Sequence, residues 1–134
     1  MPTKSKPKKK SIRLPASLVW FEIPANNVNR AKSFYSKLFG WKIQKFPMGQ
    51  HNYWHIDTGG DDKSPDGGIL ERQGKGHTVT NYIMVASVEQ SAARVKKLGG
   101  QIIMPKTPVG DFGYFIICED TEKNQFALWE TRKR

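Results

Sequence analysis

The chain has 134 residues, a formal net charge of +10, 37% hydrophobic side chains and one cysteine. This length suits one domain with a real core, and a lone cysteine excludes an intramolecular disulfide. No run approaches the ~20 apolar residues that a membrane-spanning helix needs, so a soluble protein with no membrane partner is expected.

The charge is unevenly placed. Residues 1–13, MPTKSKPKKKSIR, hold six basic and no acidic side chains, and the closing RKR at 132–134 adds three more. What remains holds 13 basic against 12 acidic residues. The first stretch reads as a disordered basic arm and the last as a basic tail, flanking one domain over 14–131. An arm of this kind can meet a polyanion through phosphate contacts. The aromatics of the body alternate inside strand-like runs instead of interleaving with Lys and Arg, so nucleic acid is not the expected partner. SIRLPASLVWFEIP is broken by Arg13, Pro15 and Glu22 and lacks the apolar centre of a signal peptide. Cys118 lies in the apolar run YFIIC, which predicts a buried, inert thiol in a reducing cytoplasm.

LVWFEIP (18–24) is rich in β-formers and predicts a strand. Asn26 or Asn27 then caps a helix whose Val28, Ala31, Phe34, Tyr35, Leu38 and Phe39 fall on one face, and Gly40 ends it. WKIQKF (41–46), NYWHIDTG (52–59) and GGILERQ (67–73) follow as strands between turn-rich pieces. After a linker at 74–79, TNYIMVA (80–86) predicts a fifth strand. Ser87 with Gln90 then opens a helix with Val88, Ala92, Val95 and Leu98 on its apolar stripe, ended by Gly99 and Gly100. QIIMP (101–105), GYFIICE (113–119) and QFALWE (125–130) complete the series, with KTPVGDF and DTEKN read as turns. Both halves, about 18–73 and 80–130, therefore read strand, helix, strand, strand, strand. At an offset of 60 positions, Ile23/Ile83, Val28/Val88, Lys37/Lys97, Leu38/Leu98, Gly40/Gly100 and Ile43/Ile103 are identical without a gap. Shared helix-ending grammar explains a few of these pairs, but not the matching order of five elements. The chain is an internal duplication.

Paired βαβββ modules resemble the vicinal oxygen chelate superfamily, which includes glyoxalase I, bleomycin-resistance proteins and extradiol dioxygenases. The resemblance is carried by FEIPANNVNRAKSFYSKLFGW, YWHIDTG, GGIL, SVEQSAARVKKLGG and DTEKNQFALWE, and is nearest to glyoxalase-like proteins of unassigned activity. DTEKN is similar to the superfamily's Asp-Pro/Thr-Asp/Glu-Gly-Asn turn, with Lys123 where Gly is usual. The resemblance implies an α+β fold in which two tandem modules with curved mixed sheets form a cup-shaped cleft. It also implies a homodimer. In metal-using members four ligands project into the cup. Carried over, those positions are Trp20, Thr80, Ala127 and either Gly68 or Ile69, none a good ligand for a divalent ion. No metal and no cofactor is expected.

The histidines do not restore a metal site. His51 and His55 lie four apart on a strand, roughly 13 Å, and His77 sits in the linker. DDKSPDGG imitates half a calcium loop, but has Gln73 where a bidentate Glu is needed, and no phosphate-loop pattern is present. Strand alternation turns Phe21, Ile23, Ile83, Val85, Phe126 and Leu128 toward the helices. Trp20, Glu22, Thr80, Tyr82, Met84, Gln125, Ala127 and Trp129 then face the cup, together with Tyr53, His55 and Asp57. Tyr114 is assigned to the same cleft. The expected ligand-binding set is Trp20, Glu22, Tyr53, His55, Thr80, Tyr82, Met84, Tyr114 and Trp129, an aromatic lining with a few polar groups suited to a small molecule. Glu22 and His55 are the candidate acid/base pair, with Glu22 raised in pKa by desolvation. Three functions stand open. One is a metal-free small-molecule binder, of which drug sequestration is a variant. The second is a metal-dependent lyase, isomerase or dioxygenase related to lactoylglutathione lyase. The third is a non-enzymatic interaction protein using its basic arm.

Overall fold

The computed structural model describes residues 16–46 and 52–132. The basic arm at 1–13, His51 and the last two residues of the basic tail lie outside the described residues. The elements run β1 (Leu18–Ala25), α1 (Val28–Phe39), β2 (Lys42–Lys45), β3 (Tyr53–Asp57), β4 (Asp66–Glu71), β5 (Thr80–Met84), α2 (Val88–Lys97), β6 (Gln101–Val109), β7 (Gly113–Glu119) and β8 (Gln125–Thr131). This is βαβββ twice over.

The strands make one eight-stranded sheet in the order β2-β3-β4-β1-β5-β8-β7-β6. Within each module the first strand pairs in parallel with the last, β1 with β4 and β5 with β8. The modules join where β1 and β5 run antiparallel, with Trp20 opposite Tyr82 and Glu22 opposite Thr80. The sheet curves strongly. Phe46, just past one edge strand, and Phe112, in the turn beside the other, bring their rings to 6.4 Å.

Local chemistry fixes the helix ends. The Asn27 side chain accepts a hydrogen bond from the Arg30 N–H, and Ser87 does the same for Gln90, each meeting a donor that the helix cannot satisfy. Glu130 adds a carboxylate at the start of α2, accepting from the Val88 N–H at 3.0 Å. Gly40 closes α1 in the left-handed region at φ 75°, donating its N–H to the Ser36 carbonyl.

Both helices pack on the same side of the sheet as two apolar clusters. Ala25, Ile56 and Ile69 anchor the first, with Phe21, Ile23, Val28, Ala31, Tyr35 and Trp54 against them. Val88, Ala92, Ile116, Cys118 and Leu128 form the second, with Val85, Val95 and Phe126. Cys118 is fully buried and its thiol is pushed up to about 11 by that burial.

Phe34, Leu38 and Phe39 do not join the core face of α1: each is 57% exposed. Phe34 lies about 100° around the axis from Tyr35, beyond the stripe that Val28, Ala31 and Tyr35 present to the sheet. The segment 106–109, read as turn, is strand, since β6 runs on to Val109. Pro105 and Pro108 are tolerated because β6 is an edge strand, and its pairing with β7 slips at two irregularities.

Candidate functional site

The other face of the sheet is the cup. At its centre the β1–β5 seam sets Trp20 and Glu22 beside Tyr82, and β3 brings in Tyr53 from two strands away. Trp20 Nε1 donates to Tyr53 Oη at 2.8 Å, and Tyr53 Oη donates to Glu22 Oε2 at 2.8 Å. Tyr82 Oη lies 3.3 Å from both carboxylate oxygens of Glu22. Burial raises the Glu22 pKa above its ordinary value, although the two tyrosine hydrogen bonds pull the other way. Burial is also the main reason that both phenols are pushed well above the ordinary tyrosine range, and the Glu22 charge adds to it.

Gly68 explains how Tyr53 reaches the centre. A Cβ at that position would collide with the Tyr53 phenol, so only hydrogen leaves room for the ring. Gly68 pairs with both Glu22 and His55 in the ladder, whereas Ile69 packs on the helix side. The cup position of β4 is therefore Gly68, and the choice between Gly68 and Ile69 resolves in its favour. Module two repeats the device, with the Trp129 ring over Gly113, where a Cβ would come within 2.8 Å of it.

His55 stacks on Trp20, with ring centroids 5.5 Å apart, and its Nε2 meets Asp66 Oδ2 at 3.1 Å. The other Asp66 oxygen accepts from the Thr58 N–H and hydroxyl. Glu22 and His55 thus do not form a hydrogen-bonded pair: Glu22 is held by tyrosines and His55 by Asp66. Phe46 packs edge-on against both Tyr53 and His55. Thr80 is fully buried, its hydroxyl bonded to the Thr78 carbonyl and the Gln125 amide. Those bonds make it part of the floor. Met84 and Trp129 are half-buried and face each other in the β5–β8 ladder. Asp57 is exposed and accepts from the Gly59 N–H in a turn.

Tyr114 is the one member of the expected set on the wrong face. It packs against the α2-side cluster, while Phe115 and Ile117 point into the cup with Trp20, Tyr82, Ala127 and Trp129. The signal was present: Tyr114 shares parity with Cys118, which belongs in the core. Nothing local in DDKSPDGG marks Asp66 for its contact with His55. Its role follows from the β1–β4 register, which aligns it with Trp20.

The remaining sequence motifs have structural explanations. Asp61 accepts from the Lys63 and Ser64 N–H groups, so DDKSPDGG is an Asx turn and not an ion loop. Asp120 does likewise for Glu122 and Asn124. Lys123 sits at φ 70°, in the left-handed conformation that the glycine usual at this turn position would adopt easily. Two open grooves of about 400 and 470 Å³ flank the start of α1 on the helix side, and their charged residues, Arg30, Arg72, Lys45 and Glu71, are all exposed. Enclosed polar chemistry lies in the cup instead.

Residues 17–59 match the family described as bleomycin resistance protein-like N-terminal. A glyoxylase-like domain-containing protein of Didymella fabae is 31% identical over 115 residues, covering 80% of this chain and 88% of that protein. The chain belongs to the glyoxylase-like family of the vicinal oxygen chelate superfamily. CFP32 of Mycobacterium bovis and Mycobacterium tuberculosis, which carries a glyoxylase name, is 26% identical over 121 residues. That match takes in 85% of this glyoxylase-like chain, which spans only 45% of CFP32. The fold is shared with Streptomyces coelicolor methylmalonyl-CoA epimerase at a TM-score of 0.65 and 12% identity, covering 88% of this chain and 99% of the epimerase. Among the described residues no helix is long and apolar enough to cross a membrane.

Proposed function

We propose that this glyoxylase-like chain binds a small, partly aromatic molecule in its cup and does so without a metal. The observation that carries the reading is Glu22, a carboxyl held by two tyrosines at the centre of an aromatic lining. Small-molecule sites combine a mostly apolar wall with a few fixed polar groups, and Trp20, Tyr53, Tyr82, Phe115 and Trp129 supply that wall here.

The metal-dependent reading has less support. A divalent ion needs several N, O or S donors at about 2 Å. The four positions offer an indole, a buried and doubly bonded hydroxyl, a methyl group and a hydrogen atom at Trp20, Thr80, Ala127 and Gly68. Among the described residues no group of three or more His, Cys, Asp and Glu side chains is placed to hold an ion. The donor set does not fit the metal, and no chemical step is assigned to one. The single domain over 14–131, the homodimer and the cytoplasmic setting belong to the same proposal. The seam joining both modules supports the first, family resemblance the second, and the buried lone thiol of Cys118 the third.

A thermal-shift screen of small aromatic metabolites tests the reading, because a ligand of the native state raises the melting temperature. Stabilising compounds are expected to lose their effect in Trp20→Leu and Tyr82→Leu. Equal stabilisation of wild type and both variants would put the site elsewhere and sink the proposal.

A further inference from the structure

Resting on the cup as a ligand site, we infer that its ligand carries a compact organic cation, an alkylated ammonium group whose charge sits over Glu22 beside the phenol rings. Among the described residues, the hydrogen bonds to the Glu22 side chain all come from neutral phenols, those of Tyr53 and Tyr82. Among the described residues no Lys, Arg or His forms an ion pair with it. A carboxylate withdrawn from water without a counter-ion is costly and calls for a proton or a cation.

The distribution of the chain's own cations points the same way. Lys32 stands 3.3 Å from the centroid of the Trp54 ring, Lys106 4.4 Å from Tyr114, and Arg132 5.6 Å from Tyr114. Trp54 and Tyr114 both belong to the helix side of the sheet. There the aromatic faces already carry protein cations. On the cup side Tyr53, Tyr82 and Phe115 carry no Lys or Arg among the described residues, and Trp20 has only the His55 ring stacked on it. Tyr53 and Tyr82 hold a carboxyl that has no ionic partner there. Aromatic faces attract ammonium groups, most strongly where water is excluded. The half-buried Met84 and Trp129, facing each other across the β5–β8 ladder, suit the alkyl substituents, and the carboxylate disfavours an anionic ligand.

The test compares choline with 3,3-dimethylbutan-1-ol, its uncharged isostere, titrated into the full chain and followed by tryptophan fluorescence and calorimetry. Choline is expected to bind at least about tenfold more tightly than the alcohol. That preference should vanish in Glu22→Gln, and choline binding should weaken in Trp20→Leu, which keeps the carboxyl and loses the ring. Equal binding of the two probes overturns the cation and leaves the cup reading intact. A preference that survives in Glu22→Gln overturns it as well. Failure of both probes to bind also overturns it, and the metabolite screen then decides the cup on its own. Should Glu22→Gln not fold, undiminished choline binding in Trp20→Leu overturns the inference by itself.

Discussion

The two modules share a topology and differ in what they bring to the cup. Module one contributes Trp20, Glu22, Tyr53, His55 and Asp66, linked by hydrogen bonds and one ring stack. Module two contributes Tyr82, Phe115, Ile117, Ala127 and Trp129, most of it apolar, over a Thr80 whose bonds are internal. On the helix side the order reverses. No residue of α1 is fully buried, whereas α2 buries Val88 and Ala92. Duplication supplied two equivalent frames, and they have diverged: one holds the polar chemistry, the other the better-packed support.

The largest effect should come from breaking either core. Ile56→Ala in module one and Leu128→Ala in module two each remove a side chain that is at most 5% exposed. Each should cost about 2–5 kcal/mol in chemical denaturation. Because β1 and β5 pair across the seam, both variants should still unfold in a single step. A biphasic curve in either would show that the modules are stable separately.

Gly68→Ala sharpens the comparison at the site itself. The added methyl group meets Tyr53, so the ring must leave the Trp20–Tyr53–Glu22 chain. A loss of about 1–3 kcal/mol is expected, with a change in tryptophan emission as Trp20 Nε1 loses its acceptor. A variant with unaltered stability and emission would mean that Tyr53 does not depend on the space at Gly68.

The smallest effect is one of sign. The folded-state pKa of Glu22 is raised above its ordinary value of 4.5, mainly by burial. The folded chain therefore holds this proton more tightly than the unfolded chain does. The stability that this linkage contributes is fully present below about pH 4.5 and is lost as pH rises through the folded-state pKa. Glu22→Gln removes the titration, so the stability difference should move in the variant's favour across that window. A difference that stays flat with pH would show that Glu22 titrates normally.

Much of this was legible in the sequence because it depends on spacing. The offset of 60 positions and the caps at Asn27, Ser87 and Gly40 fix element order, and alternation places Trp20, Glu22 and Tyr82 on one face. What alternation does not carry is the relation between strands. Whether Tyr114 or Phe115 faces the cup depends on register, here Phe115 opposite Trp129. The pairing of His55 with Asp66 depends on the β3–β4 turn, which no local pattern encodes. The length of β6 was hidden because its prolines signal a turn everywhere except on an edge.

The position of β1 bears on how the chain is made. It is the first strand of the series, yet it lies between β4 and β5, and its pairing of Trp20 with Asp66 spans 46 positions. During synthesis it must wait for both neighbours, and in that interval it carries two unpaired edges and the apolar side chains Phe21 and Ile23. Loop closure over such distances is slow, and unpaired strand edges are sites of misassociation. The strand that supplies Trp20 and Glu22 to the cup is thus also the one most exposed to error before the chain is complete.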